Sequence, residues 1–367
     1  MTRLEEVSAK EDRIRGFLSQ RGFKGLLISR QNNFSWATAG GENRVASATE
    51  YGASSLLYTA GERYLVANNI EASRVADEEI EGLGYEVKEY PWYEGDAMAA
   101  IVRRLAGDNH VASDDGWGGT LNVGSELSEL RAPLMEAEVE RYRQLGRAAS
   151  LKIAETCRGA RRGMSEHDLE ADMAFRIRGE GITPFLILIA ADERIEKYRH
   201  PLPTHKKLER YGMIVLGARK GGLIVSLTRL VHFGPLPDRL RRKHDAVCQV
   251  DATFIRHSRK GAIVGEIFQK AQEAYGRAGY GEEWRLHHQG GPTGYTPREY
   301  RVLPGMKKVL SAPQALAWNP SIAGTKSEDT IIAHDGDAEI ITEAVGWPMV
   351  KCEVEEKIIE RPDILVL

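Results

Sequence analysis

Histidine is the residue type whose placement in this 367-residue chain most invites a chemical reading. His287 and His288 are adjacent and are followed by Gln289 and the pair Gly290-Gly291. A tight glycine turn can aim such side chains at a site, although a histidine there can equally bond only to backbone. A further histidine stands in Arg199-His200-Pro201. An imidazole titrates near neutrality, so it can take a proton from water and return it to a leaving nitrogen. Polar groups also interrupt the apolar stretch Tyr211 to Pro235, at Ser226, Thr228 and Arg229. In so apolar a segment they are either satisfied in a core or face a site.

That stretch reads as two strands joined by a short turn at Gly221-Gly222. Upstream, residues 4–20 have the spacing of an amphipathic helix, with Leu4, Val7, Ile14, Phe17 and Leu18 on one face. Residues 25–29 read as a buried strand, 54–60 and 63–67 as a hairpin, 69–77 as a helix and 85–90 as a strand. Residues 40–52, with Arg44 and Glu50, read as a loop, either solvated or reaching toward a neighbouring site. A long helix is expected over 136–158. Ser165 to Asp168 resembles a capping box opening another that stops at Gly179 or Gly181. Residues 185–190 form an Ile- and Leu-rich strand. Two helices are expected over 238–257 and 264–277, the first capped by Asp238 after Pro237.

This length favours two domains. A formal net charge of −3 gives no polyanion-binding surface, so no nucleic-acid partner is expected. No window approaches ~20 uninterrupted apolar residues, so no membrane span is expected. The charged start MTRLEEVSAKEDR has no apolar core of a signal peptide. Cys157, Cys248 and Cys352 are far apart, which suits a reducing cytoplasm and argues against disulfides or a zinc cluster.

The hairpin resembles that of the pita-bread family, which includes methionine aminopeptidase, aminopeptidase P, prolidase and the metal-free creatinase. The resemblance covers most of the chain. It implies an α/β (α+β) protein: a small N-terminal creatinase/prolidase-like domain over 1–132 and a pita-bread domain over 133–367. In the peptidases two hairpin aspartates help bind a metal pair; the matching positions here are Val215 and Ser226. The remaining family ligands match His288, Asn319 (before Pro320) and Glu328 (before Asp329). Valine has no donor atom, and serine and asparagine bring no charge, so no metal and no cofactor are expected.

Creatinase places an acid/base histidine upstream of the hairpin, and His200 matches it. Its carboxylate-binding arginine matches Arg298, beside Tyr295. Arg229 follows the second lost aspartate and is expected to pair with a carboxylate such as Glu328. The chain departs from creatinase at Asn319 and Thr228, where creatinase is acidic, so creatine itself is not the expected substrate. The reading is a metal-independent hydrolase of a C–N bond in a small-molecule substrate. His200, His288 and Glu328 would be catalytic; Arg298, Asn319, Ser226, Arg229 and Tyr295 would line the substrate site. The alternatives are an inactive Xaa-Pro peptidase homologue that only binds, and a peptidase with a metal site rebuilt around His232 or His287. The resemblance also implies a homodimer.

Overall fold

Helix Arg3–Arg21 opens the chain because Thr2 and Glu5 form a reciprocal capping box and Gly22 closes its end at φ 70°. The computed structural model describes residues 1–107 and 110–367. It divides into two compact units, Met1–Glu138 with Gly221–Leu223, and Val139–Lys220 with Ile224–Leu367.

The first unit holds one sheet of β1 (Gly25–Arg30), β2 (Tyr51–Thr59), β3 (Arg63–Asn68), β4 (Glu86–Tyr90), β5 (Val111–Ser113) and β6 (Leu121–Asn122). Their order is β4-β3-β2-β1-β5-β6. Leu27, Leu57, Val66, Ile101 and Val111 form an apolar cluster on it. The helix expected over 69–77 is instead a short turn, Ala72–Arg74, running into a π-helical turn, Val75–Glu79. Residues 40–50 lack regular structure, and Arg44 and Glu50 pair within the unit with Glu42 and Arg30.

In the second unit β7 (Thr183–Ala191), β8 (Tyr211–Lys220), β9 (Leu223–His232) and β18 (Leu365–Val366) form a sheet in the order β18-β9-β8-β7. Gly221 and Gly222 both have positive φ, 54° and 80°, as a tight two-residue hairpin turn requires. A second sheet joins β10 (Gly290–Pro292), β11 (Gln314–Trp318), β14 (Asp329–Ala333) and β15 (Glu339–Ile340). Between them in sequence lies the two-stranded pair β12 (Ser321–Ile322) and β13 (Thr325–Lys326). Helices Asp238–His257 and Val264–Arg277 pack on the second sheet through Val250, Phe254, Phe268 and Tyr275 against Leu316, Trp318 and Ile331. Trp318 stacks on Phe254 at 4.4 Å and donates to Ser258, so it is core.

Helix Glu166–Gly179 starts with the expected Ser165–Asp168 capping box. Asp238 is different: it is the first helical residue, and no side chain caps that helix, because the N-cap is Pro237, whose ring has no acceptor atom. β16 (Met349–Val354) and β17 (Lys357–Pro362) complete the unit as a hairpin. All three cysteines are buried free thiols. No helix among the described residues is long and apolar enough to cross a membrane.

Candidate functional site

The hairpin's alternation puts Val215 on one face with Met213, and Thr228 on one face with Ser226 and Leu230. Val215 is buried in an apolar cluster with Leu188, Met213 and Leu230. The first position that the resemblance marks for a metal ligand is thus filled with hydrocarbon. At the second, Ser226 is buried, its backbone N–H donating to Thr330 Oγ1 at 2.8 Å and its carbonyl accepting from that hydroxyl.

Glu328 meets β9 at Thr228, nearly fully buried, and its oxygens are taken. Thr228 Oγ1 donates to Oε2 at 2.7 Å and Lys326 Nζ lies 2.6 Å from the same atom. Arg298 Nη2 lies 3.6 Å from Oε1. Burial alone would raise the Glu328 carboxyl, but Lys326 and Arg298 outweigh it and hold the group below its usual range. Asn319 stands at the fourth ligand position, buried, with its backbone N–H donating to the Gln289 carbonyl. Its Oδ1 has no hydrogen-bond partner. A dinuclear centre needs several free carboxylates to offset four positive charges. This set offers one, already neutralised by two cations, so the residues do not fit the family's metal pair.

What the structure brings together instead is imidazole. His287 Nε2 lies 3.2 Å from His200 Nε2, and their ring centroids are 4.9 Å apart. His288 packs against both, with centroids 4.8 Å from His287 and 5.7 Å from His200. His287 is buried, His288 half-buried and His200 at the solvent-exposed rim.

Each ring has an identifiable support. Gly290, at φ 91°, closes the turn after His288; a Cβ there would lie 2.1 Å from the Ala317 carbonyl oxygen, so only glycine fits. Ser321 Oγ meets His287 Nδ1 at 3.0 Å. Tyr275, from helix Val264–Arg277, donates to Gln289 Oε1 and receives the Ser321 N–H, fixing residues beside the histidines. The loop carrying His200 is pinned at both ends. Arg199 pairs with Glu283 at 2.5 Å, just upstream of His287. Buried Glu166 accepts from the Thr204 N–H and hydroxyl and pairs with Arg194.

Burial and nearby cations push all three imidazoles toward the neutral form. Desolvation, then Lys326, lowers His200, against the opposing pull of Glu328. His288 falls to about 4 through desolvation, Arg298 and His200. His287, the most buried, is lowered furthest.

Two expected site residues lie elsewhere. Arg229 is fully buried and pairs with Asp329 at 2.9 Å, not with Glu328. Asp329 also accepts from Arg361 at 2.6 Å, and Arg361 holds Asp251 at 2.7 Å. That balanced ionic network anchors the start of β14; it cannot contact a substrate. His232 bonds the Gly234 carbonyl and packs on Tyr211, and is not part of the histidine group. Tyr295 is buried, its N–H donating to Glu299. Arg298 keeps a buried Nε with no hydrogen-bond partner. Sequence reasoning gave too little weight to His287 and overlooked Lys326. Lys326 was findable: it lies two residues before Glu328, and alternate residues of an extended segment share a side.

Residues 140–342 match the model of metallopeptidase family M24. An uncharacterized peptidase of Staphylococcus haemolyticus is 24% identical over 309 residues, 78% of this chain and 87% of that protein. The Xaa-Pro dipeptidase of Lactobacillus helveticus is 22% identical over 299 residues, 74% of this chain and 80% of that one. Among solved structures, a recombinant prolidase from Thermococcus sibiricus matches with a TM-score of 0.79 at 18% identity, covering 100% of both chains. The pita-bread fold expected from the hairpin is the fold found.

Proposed function

The chain belongs to metallopeptidase family M24, and from that premise we propose that it is a hydrolase of a C–N bond, amide or amidine, in a small molecule, working without the family's metal pair. The observation that carries this reading is the 3.2 Å contact between His200 and His287, near a Glu328 that is already paired with Lys326.

In this reading His200, neutral at ordinary pH and open to solvent, takes a proton from the attacking water. The same imidazole returns it to the leaving nitrogen as the tetrahedral intermediate collapses. His287, held by Ser321, fixes the orientation of His200. Glu328 holds Lys326 and Arg298 in place rather than meeting the substrate. Two buried polar atoms have no hydrogen-bond partner, and in this reading they meet the substrate: Arg298 Nε suits a carboxylate and Asn319 Oδ1 suits an N–H group. His288 packs against His200 in the same histidine group. A molecule bearing a carboxylate and an amide N–H would satisfy both atoms.

The name of the Lactobacillus helveticus relative, Xaa-Pro dipeptidase, makes short peptides ending in proline the first compounds to assay, followed by N-acyl amino acids and amidino acids. Chelator-treated protein should turn over one of these classes, and His200→Ala should lose at least a hundredfold in kcat/KM. Full turnover by that variant would remove the proposal. Tight binding with no turnover of any class would favour the alternative of a binding protein on the same scaffold.

A further inference from the structure

The histidine group has a second chemical capacity, distinct from the family's metal pair and from proton transfer. His200, His287 and His288 each offer one ring nitrogen, and these three atoms lie within 4.8 Å of one another. The His200 and His287 Nε2 atoms are 3.2 Å apart. Two nitrogens bound tetrahedrally to one zinc at ~2.05 Å would stand ~3.3 Å apart. That pair therefore already spans one edge of a coordination tetrahedron, and the third nitrogen, within 4.8 Å, would close by up to ~1.5 Å. His287 is oriented from behind by Ser321 at 3.0 Å, the kind of outer support that ligating imidazoles use. His288 carries a buried Nδ1 with no hydrogen-bond partner. His200 at the rim leaves a route for an ion and for water.

We infer that these three histidines bind a single divalent transition-metal ion of the class imidazole suits, zinc or cobalt, one per chain. The site lacks carboxylates, so magnesium, calcium and manganese are poor fits. Lys326 and Arg298 nearby oppose the ion's charge and favour an anion, hydroxide or carboxylate, at the remaining position. The inference goes beyond the hydrolase reading and does not depend on it. It has a consequence for that reading, because a ligated imidazole cannot shuttle a proton. Occupancy by zinc would then inhibit turnover, the reverse of the effect metals have in a metallopeptidase.

The test is titration of chelator-stripped, desalted protein with Co²⁺ and Zn²⁺, read by visible absorption and by calorimetry. The expected result is one ion per chain, an intense tetrahedral Co²⁺ band, and its loss on adding Zn²⁺. His200→Ala, at the exposed rim where folding is least affected, should weaken binding at least tenfold, as should His288→Ala. Circular dichroism checks that each variant is folded. No binding by the native chain, or binding unchanged in both variants, would overturn the inference. Activity separates the two proposals. Inhibition by Zn²⁺ supports both. Turnover that requires Zn²⁺ supports the metal site and refutes metal-free hydrolysis. Turnover in stripped protein that binds no ion overturns the metal site alone.

Discussion

Replacing Lys326 with methionine tests whether Glu328 is held as half of a buried ion pair. Lys326 Nζ and Glu328 Oε2 are 2.6 Å apart, with side chains 5% and 3% exposed. Removing one partner of such a pair leaves a desolvated charge and costs about 3–5 kcal/mol. Arg298 at 3.6 Å and the Thr228 hydroxyl remain, so the lower end, about 3 kcal/mol, is expected at pH 7. The loss should depend on pH with a definite sign. Glu328 is depressed in the folded chain, so its stabilising contribution is present above the ordinary glutamate range and fades as pH falls through the folded value. Without Lys326 the carboxyl rises and can protonate, so Lys326→Met should cost less at pH 4 than at pH 7. Urea unfolding of the native chain, Lys326→Met, Glu328→Gln and the double variant, at both pH values, gives the coupling energy directly. A coupling below about 1 kcal/mol, the level of a surface pair, would refute the reasoning.

Val215→Asp restores a family ligand but sets a carboxylate among Leu188, Met213 and Leu230; it should cost about 3 kcal/mol, roughly 6–12 °C in Tm, and added Mn²⁺ should not recover it. Gly290→Ala should abolish turnover and lower Tm, since its Cβ meets the Ala317 carbonyl. The acid limb of kcat/KM in stripped protein should fall below 6.5, because burial, Lys326, Arg298 and Arg301 lower His200 more than Glu328 raises it. A limb above 6.5 would contradict His200 as the base.

The parts legible in the sequence are those where local signals agree. The hairpin has strand residues flanking two adjacent glycines, and helix Glu166–Gly179 has its capping box written in Ser165 and Asp168. Helix Gln31–Ala37 was not legible. It is built from weak helix formers such as Asn32, Asn33 and Ser35, and six of its seven residues are buried, so packing rather than propensity makes it. The partner of Arg229 was ambiguous for a different reason. Glu328 and Asp329 are adjacent, and only the register of β14 decides which carboxylate meets the arginine. The His200–His287 contact depends on Arg199 reaching Glu283, 84 residues away, a pairing no local pattern encodes.

Metal content at equilibrium distinguishes a Glu328 held by Lys326 and Arg298 from one free to bind ions. Protein dialysed against excess Mn²⁺, Co²⁺ or Zn²⁺, then rinsed of free ion, should retain no more than one ion per chain, and that one only while the histidines are intact. Two ions per chain, retained after His200→Ala and lost in Glu328→Gln, would mean that the carboxylate is free to bind metal and that the proposed hydrolysis belongs to a metal pair after all.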